Sequence, residues 1–303
     1  MQPTDPHDNP YDLLAENLDD HHRWAFGTGF VDPLEGIDTS VPAGVDAAAL
    51  ATYCLMLGDD ALVHSHRLQQ WITRMPELEE ETAIANIALD LLGQSRMLLT
   101  RAVKADPNLA PLPVVPGEDQ LAFFREAHEF RNVRLVERAD DDFAELVGRL
   151  FIVSSWRLDV FARLISSTDP VLAAIAARAV NELRYHRDVA ARWVVTLGDG
   201  TELSHDRMQA ALDTLWPYVD ELFTTHPVER ALGDTAVDPA STRVDVDIVV
   251  DTVLAEANLQ RPTAGPIGLI AGGAGRDGRH SEAFGLLLAE LQSVARAHPE
   301  ASW

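Results

Sequence analysis

From Val45 onward the chain falls into long stretches nearly free of Gly and Pro, in which apolar residues recur at three- and four-residue spacing. That period is the mark of amphipathic helix, and no segment sustains the apolar and polar alternation of a half-buried strand. The fold expected is all-α. The first stretch, Asp46 to Arg74, sets Leu50, Tyr53, Leu57, Ala61, His64, Leu68 and Trp71 on one stripe and stops at Pro76. The second, Glu77 to about Lys104, opens with Glu77, Glu79, Glu80 and Glu81, placing acids at the positive end of the helix dipole. A Pro-rich connector leads to a shorter helix expected near Asp119 to Glu137. A third long helix runs from about Asp142 to Ser166, and Asp169-Pro170 starts a fourth that reaches Leu197 before the turn Gly198-Asp199-Gly200.

Four long helices as two antiparallel pairs predict a four-helix bundle, with additional C-terminal helices near Ser204 to Thr224, Asp247 to Leu259 and Ser281 to Ala297. Between the last two, six glycines gather from Gly265 to Gly278, but no strand precedes them, as nucleotide-binding loops require. Residues 1–45 read differently. They hold nine acids against Arg23 alone, with five prolines, a composition that cannot bury a core of its own. This acidic N-terminal extension is expected to be partly disordered, or an arm that packs Trp24, Phe26 and Phe30 on the body or a partner; residues 46–303 form the helical domain.

The charge balance, 24 Lys and Arg against 48 Asp and Glu, argues against a phosphate-neutralising nucleic-acid surface and against binding to anionic membranes. No run reaches the ~18 apolar residues of a membrane span, and no basic-then-apolar leader begins the chain, so a cytoplasmic location is expected. The single Cys54 rules out an intrachain disulfide and a thiolate metal cluster; on its apolar stripe it reads as a small core residue.

Helical bundles of this kind build two-metal carboxylate sites from a Glu on two helices and a Glu-x-x-His on each of the other two, because residues three apart share a helix face. Here the second helix offers Asn86, Asp90 and Gln94, with Gly93 where the motif needs histidine. The fourth offers Glu182 and His186, but the histidine comes four residues on and Tyr185 stands at the third. The third helix has Ser154 at its central inner position; the first has Asp59, Asp60 and His64. Three or four ligands stand where six are expected. Asp90, Glu182 and His186 are therefore read as a remnant polar centre joined by hydrogen bonds, with Arg184 or Arg96 near them, and Gly93, Ser154 and Tyr185 as degenerate ligand positions. A residual mononuclear or dinuclear metal site is the other reading. His21-His22 and His64-x-His66 are read as solvated, since side chains two apart on a helix do not converge.

The runs Tyr53-Cys-Leu-Met-Leu-Gly-Asp-Asp60, Pro76-Glu-Leu-Glu-Glu-Glu81, Ala85-Asn-Ile-Ala-Leu-Asp-Leu-Leu-Gly-Gln-Ser-Arg96, Glu182-Leu-Arg-Tyr-His186, Leu197-Gly-Asp-Gly-Thr201, Arg279-His-Ser-Glu282 and Leu288-Ala-Glu-Leu-Gln292, with the terminal Trp303, resemble the PaaC family. These are structural subunits of the bacterial phenylacetyl-CoA epoxidase, or ring 1,2-phenylacetyl-CoA monooxygenase. The resemblance covers about Asp46 to Trp303. It implies a ferritin-like, non-catalytic subunit that has lost most iron ligands, carries no cofactor itself, and pairs with a homologous di-iron catalytic subunit. Further epoxidase subunits and a reductase complete an NADPH- and O2-dependent assembly for phenylacetate degradation. The acidic extension departs from the family pattern. A rival of a different class is a self-sufficient ferritin-like di-metal oxidase or oxygenase using Asp90, Glu182 and His186; a homo-oligomeric storage or scaffold protein is a third.

Overall fold

Four helices carry the body of this computed structural model, which describes residues 36–113, 115–299 and 301. They are α1 (Ala47–Gln69), α2 (Leu78–Ala105), α5 (Phe143–Leu164) and α6 (Pro170–Gly198). Between them lie α3 (Gly117–Phe123) and α4 (Arg134–Glu137); after them come α7 (Glu202–Leu215), α8 (Pro227–Leu232), α9 (Arg243–Glu256) and α10 (Glu282–Ala297). Among the described residues there is no β-strand, only an isolated bridge between Ile270 and Gly273. None of the helices is long and apolar enough to cross a membrane.

The helix starts follow from side chains that satisfy the first free N–H groups. Asp46 accepts from the N–H of Ala48 and Ala49, Asp142 from that of Glu145, and Thr201 from that of Ser204. Asp169 accepts from Leu172 just ahead of Pro170, whose missing N–H costs nothing at the first helical position. Glu79, Glu80 and Glu81 sit in the first turn of α2. Its twenty-eight residues span about 42 Å.

α1 packs along α2 and α5 along α6, giving two antiparallel pairs. Burial is unequal. α1 and α5 are buried nearly all round, whereas α2 and α6 bury only one stripe each. The remaining elements contribute to this: α4, α8 and α10 lie against α1, and α7 and α9 against α5; α2 is touched by α3, and α6 by α7 and α9. Glycine permits one close approach here: a Cβ on Gly198, at the end of α6, would stand 2.5 Å from the Ala257 carbonyl oxygen.

Two expected helices are broken. The one expected over Asp119 to Glu137 ends at Phe123 and resumes at Arg134. The cause lies on α1. Asp59 accepts the Arg131 N–H at 2.8 Å and Asp60 the Val133 N–H at 2.9 Å, so these amides serve carboxylates instead of the helical ladder. The one expected over Ser204 to Thr224 tightens into a 3-10 turn over Trp216–Phe223, because Pro217 cannot continue an α-helix. The glycine-rich stretch is pinned rather than open: the Gly275 N–H donates to Glu221 (2.9 Å), and Gly278 takes the left-handed conformation at φ 72°.

The described residues from Ile37 onward form one compact unit. Arg101 on α2 fixes its first residues, donating to the Thr39 and Ser40 carbonyls (2.6 and 3.2 Å) while pairing with Asp169. Most of the acidic extension, with Trp24, Phe26, Phe30 and His21-His22, lies outside the described residues, as does Trp303.

Candidate functional site

The seam between α2 and α6 brings the sequence candidates together in two rungs. The His186 ring meets Asp90 through Nε2 and Oδ2 at 3.0 Å. One turn along, the Gln94 amide nitrogen donates to Glu182 Oε2, also at 3.0 Å. Each helix thus offers a pair four residues apart, Asp90 with Gln94 and Glu182 with His186, and the antiparallel packing matches them crosswise. The residues three apart turn the other way. Gly93 is exposed, and a Cβ built there meets nothing within 4 Å; Tyr185 is 45% exposed. Ser154 is buried on α5 but its hydroxyl donates back to the Leu150 carbonyl of its own helix at 2.6 Å. Two of the three degenerate positions therefore face solvent.

Of the polar trio, only His186 is fully buried. The Asp90 side chain is 36% exposed and that of Glu182 20%. Glu182 does not bond Asp90; its second oxygen accepts from Arg178, one turn earlier on α6, at 3.2 Å. The arginines expected nearby are elsewhere. Arg184 bonds Asn181 on the surface, and Arg96 reaches Glu118 at 3.4 Å.

The cation at the centre is Arg157, from α5. Its Nε donates to Gln94 Oε1 (3.1 Å), one Nη donates to the Leu57 carbonyl of α1 (3.1 Å), and the guanidinium carbon lies 4.4 Å from the Phe161 ring centroid. It is buried to 1% exposure, and loss of water pushes its pKa down to about 10, so it keeps its charge at neutral pH. The sequence did carry a signal for it. Arg157 stands in the mostly apolar stretch Phe151 to Phe161, three residues after Ser154 and so on the inward side.

His64, expected to be solvated, is buried to 1% exposure because α1 is covered all round; neither ring nitrogen has a hydrogen-bond partner. Burial, with Arg149, His186 and Arg157 adding repulsion, holds its pKa well below the usual histidine range, so the ring is neutral. Asp59 and Asp60 leave the centre altogether. Arg125 forks onto Asp59 (3.0 and 2.5 Å), and Arg276 onto Asp60 (3.1 and 2.8 Å).

A bridged di-iron pair does not fit this donor set. Gln94 is neutral, Glu182 is engaged by Gln94 and Arg178, and a guanidinium stands among them, whereas a bridged iron pair is held chiefly by free carboxylates and neutral imidazoles. Among the described residues, the acids whose ligand atoms do gather within 4.8 Å are Glu77, Glu79 and Glu80, at the exposed start of α2. Asp90, Glu182 and His186 do not gather in that way.

Residues 37–303 match the family model described as phenylacetic acid catabolic protein. The chain is also 39% identical over 256 residues to a subunit, the one lettered C, of the 1,2-phenylacetyl-CoA epoxidase of Escherichia coli strain K12, covering 84% of this chain and 99% of that protein. With the all-helical body and the match over nearly all of it, the chain belongs to the phenylacetic acid catabolic protein family.

Proposed function

We propose that this chain is the non-catalytic structural subunit of a phenylacetyl-CoA epoxidase, paired with a homologous di-iron catalytic subunit and working with further subunits and a reductase in the cytoplasm. The chain itself holds no cofactor in this reading, and the redox chemistry belongs to the partner. The observation that carries it is the content of the bundle centre: Arg157 and Gln94 take the space between the helices, and the ligand-bearing positions Gly93 and Tyr185 face outward. The relative's name supplies the assembly and the substrate. The seam between α2 and α6 supplies a surface on which a second helical chain can pack. Leu89 is 50% exposed and Leu92 36%, beside Tyr185, with Asp90, Arg96 and Arg178 at the rim. An aromatic and aliphatic centre with an arginine rim is the composition of protein interfaces.

Reconstitution tests this. Each chain is assayed alone and both together, with phenylacetyl-CoA, NADPH, oxygen and reductase, and metal is measured on the same samples. The expected result is turnover only with the catalytic chain present, with activity or solubility of that chain raised by this one. Turnover by this chain alone, with two metal equivalents bound, would establish the self-sufficient di-metal enzyme instead. A catalytic chain fully active and soluble without it would remove the structural role.

A further inference from the structure

We infer that Arg157 is the fixed cation of this bundle, occupying the interhelical place where a ferritin-like di-metal centre holds its metal and excluding divalent ions from it. Of the other six buried arginines among the described residues, Arg67 is answered by the Glu137 and Ala283 carbonyls and the Gln70 amide oxygen, every guanidinium nitrogen being bonded, and the remaining five are neutralised directly. Arg101 has Asp169, Arg125 has Asp59, Arg134 has Glu221, Arg149 has Asp140 and Arg276 has Asp60, each in contact. Arg157 has no carboxylate in contact among the described residues, and its second Nη has no hydrogen-bond partner. A buried charge left in that state is costly, so something must answer it.

The buried Asp60 carboxylate supports the charge from a distance, ahead of Glu182, and a bonded answer comes at one remove. The Gln94 carbonyl oxygen faces the Arg157 donor and its NH2 faces the Glu182 carboxylate, the one orientation in which both contacts are favourable. Arg157, Gln94, Glu182 and Arg178 therefore form a relay of alternating polarity from the centre of the bundle to its surface. An ion entering would have to free Glu182 from Gln94 and Gln94 from Arg157, beside a positive charge that cannot titrate away. A doubly charged ion brought beside a buried guanidinium is disfavoured by charge repulsion that the low-dielectric interior screens weakly. His64 adds no counter-charge, since its buried ring is neutral.

The inference deepens the structural-subunit reading and rests on it for the meaning of the metal-free centre. It is tested on the full chain stripped of metal. Wild type, Arg157→Lys and Arg157→Met are titrated with Co²⁺ by calorimetry and by visible absorption, all in a Glu79→Gln, Glu80→Gln background that removes the exposed acidic cluster. Wild type and Arg157→Lys should give no ligand-field bands. Arg157→Met should bind Co²⁺ at least about a hundredfold more tightly than wild type, and adding His186→Ala should abolish the gain. Binding by Arg157→Met no tighter than wild type overturns the inference and leaves the structural reading intact. Wild type binding Co²⁺ through His186 overturns both. A catalytic chain that needs no partner, with Arg157→Met still gaining metal, overturns the structural reading alone.

Thermal melts keep the inference falsifiable if Arg157→Met folds poorly at assay temperature. In the relay, Arg157→Lys, which shortens the donor, and Glu182→Gln, which removes the charge at the end of the Gln94 link, disrupt the same chain of contacts. Each should lower Tm, and the double variant should be no worse than the worse single. Strict additivity of the two shifts would show that no relay connects them.

Discussion

Two buried polar clusters flank α1, and they are completed in opposite ways. On the side facing α4, α8 and α10, Asp59 and Asp60 each receive a forked arginine and a backbone N–H, and both carboxylates are within 1% of full burial. On the side facing α2 and α6, His64 has no partner, His186 Nδ1 has none, and Arg157 has one Nη unpaired. The first cluster joins later parts of the chain to the bundle, and its geometry is that of bidentate ion pairs selected for fixity. The second spans the four long helices and carries polar groups that contribute less than their burial costs.

The largest expected effect comes from breaking the completed cluster. Asp60→Ala strands the buried Arg276 guanidinium and the Val133 N–H together, which should cost about 3–5 kcal/mol. At about 2 °C per kcal/mol for a body of this size, Tm should fall by about 6–10 °C in a calorimetric scan. A fall of under 2 °C would mean that the cluster is no firmer than the seam.

Next in size is a pH-dependent effect on the same side. Burial pushes the Glu229 carboxyl from 4.5 up to about 7, with the Arg276 charge opposing. The unfolded chain loses this proton near pH 4.5, so from 4.5 to about 7 the folded state keeps a proton that the unfolded state has released. Stability therefore falls as pH rises through that window, and the cost is complete above it. Glu229→Gln retains an oxygen for the His226 N–H, which the carboxylate accepts at 2.7 Å. It should gain about 1–3 kcal/mol at pH 8 and nothing at pH 4, read from denaturant melts at both. Equal gains at the two pH values would show that the carboxyl titrates normally.

Glu182→Ala probes the seam. It leaves the Gln94 NH2 and Arg178 without their acceptor, but the side chain is one-fifth exposed and water can replace it. The loss should be about 1–2 kcal/mol, smaller than that of Asp60→Ala in the same calorimetric comparison. A loss as large as that of Asp60→Ala would make the seam a structural cluster of the first kind.

How much of this contrast is written in the sequence depends on which contacts are local. The four long helices are legible because their stripes, caps and prolines are local: Asp142, Asp169-Pro170 and the acids after Pro76 mark starts within a turn. The break between Phe123 and Arg134 is not legible, because the carboxylates that capture Arg131 and Val133 lie on α1, some seventy residues away. The polar seam is legible in its residue types and not in its register. The expected spacing of three would have turned Gly93 and Tyr185 inward, whereas the packing of α2 on α6 uses a spacing of four, and nothing local in either helix states which. Arg157 belongs to no ligand motif, because such motifs are written in anions and imidazoles, and the residue that fills the centre is a cation.

The smallest effect concerns the open side of that centre. Gly93 lies mid-way along α2 in ordinary helical conformation, exposed, with room for a Cβ on every side. Glycine in such a place costs about 0.5–1 kcal/mol relative to alanine, through the backbone freedom the unfolded chain must give up. Gly93→Ala should therefore stabilise the isolated chain by that amount, raising Tm by about 1–2 °C. The sign decides the comparison. If the seam is uncovered in the free chain, the alanine methyl meets only water and the gain appears in full. If Gly93 packs closely against some other part of the chain, the methyl displaces that contact and stability falls, and the seam is then covered like the cluster on the far side of α1.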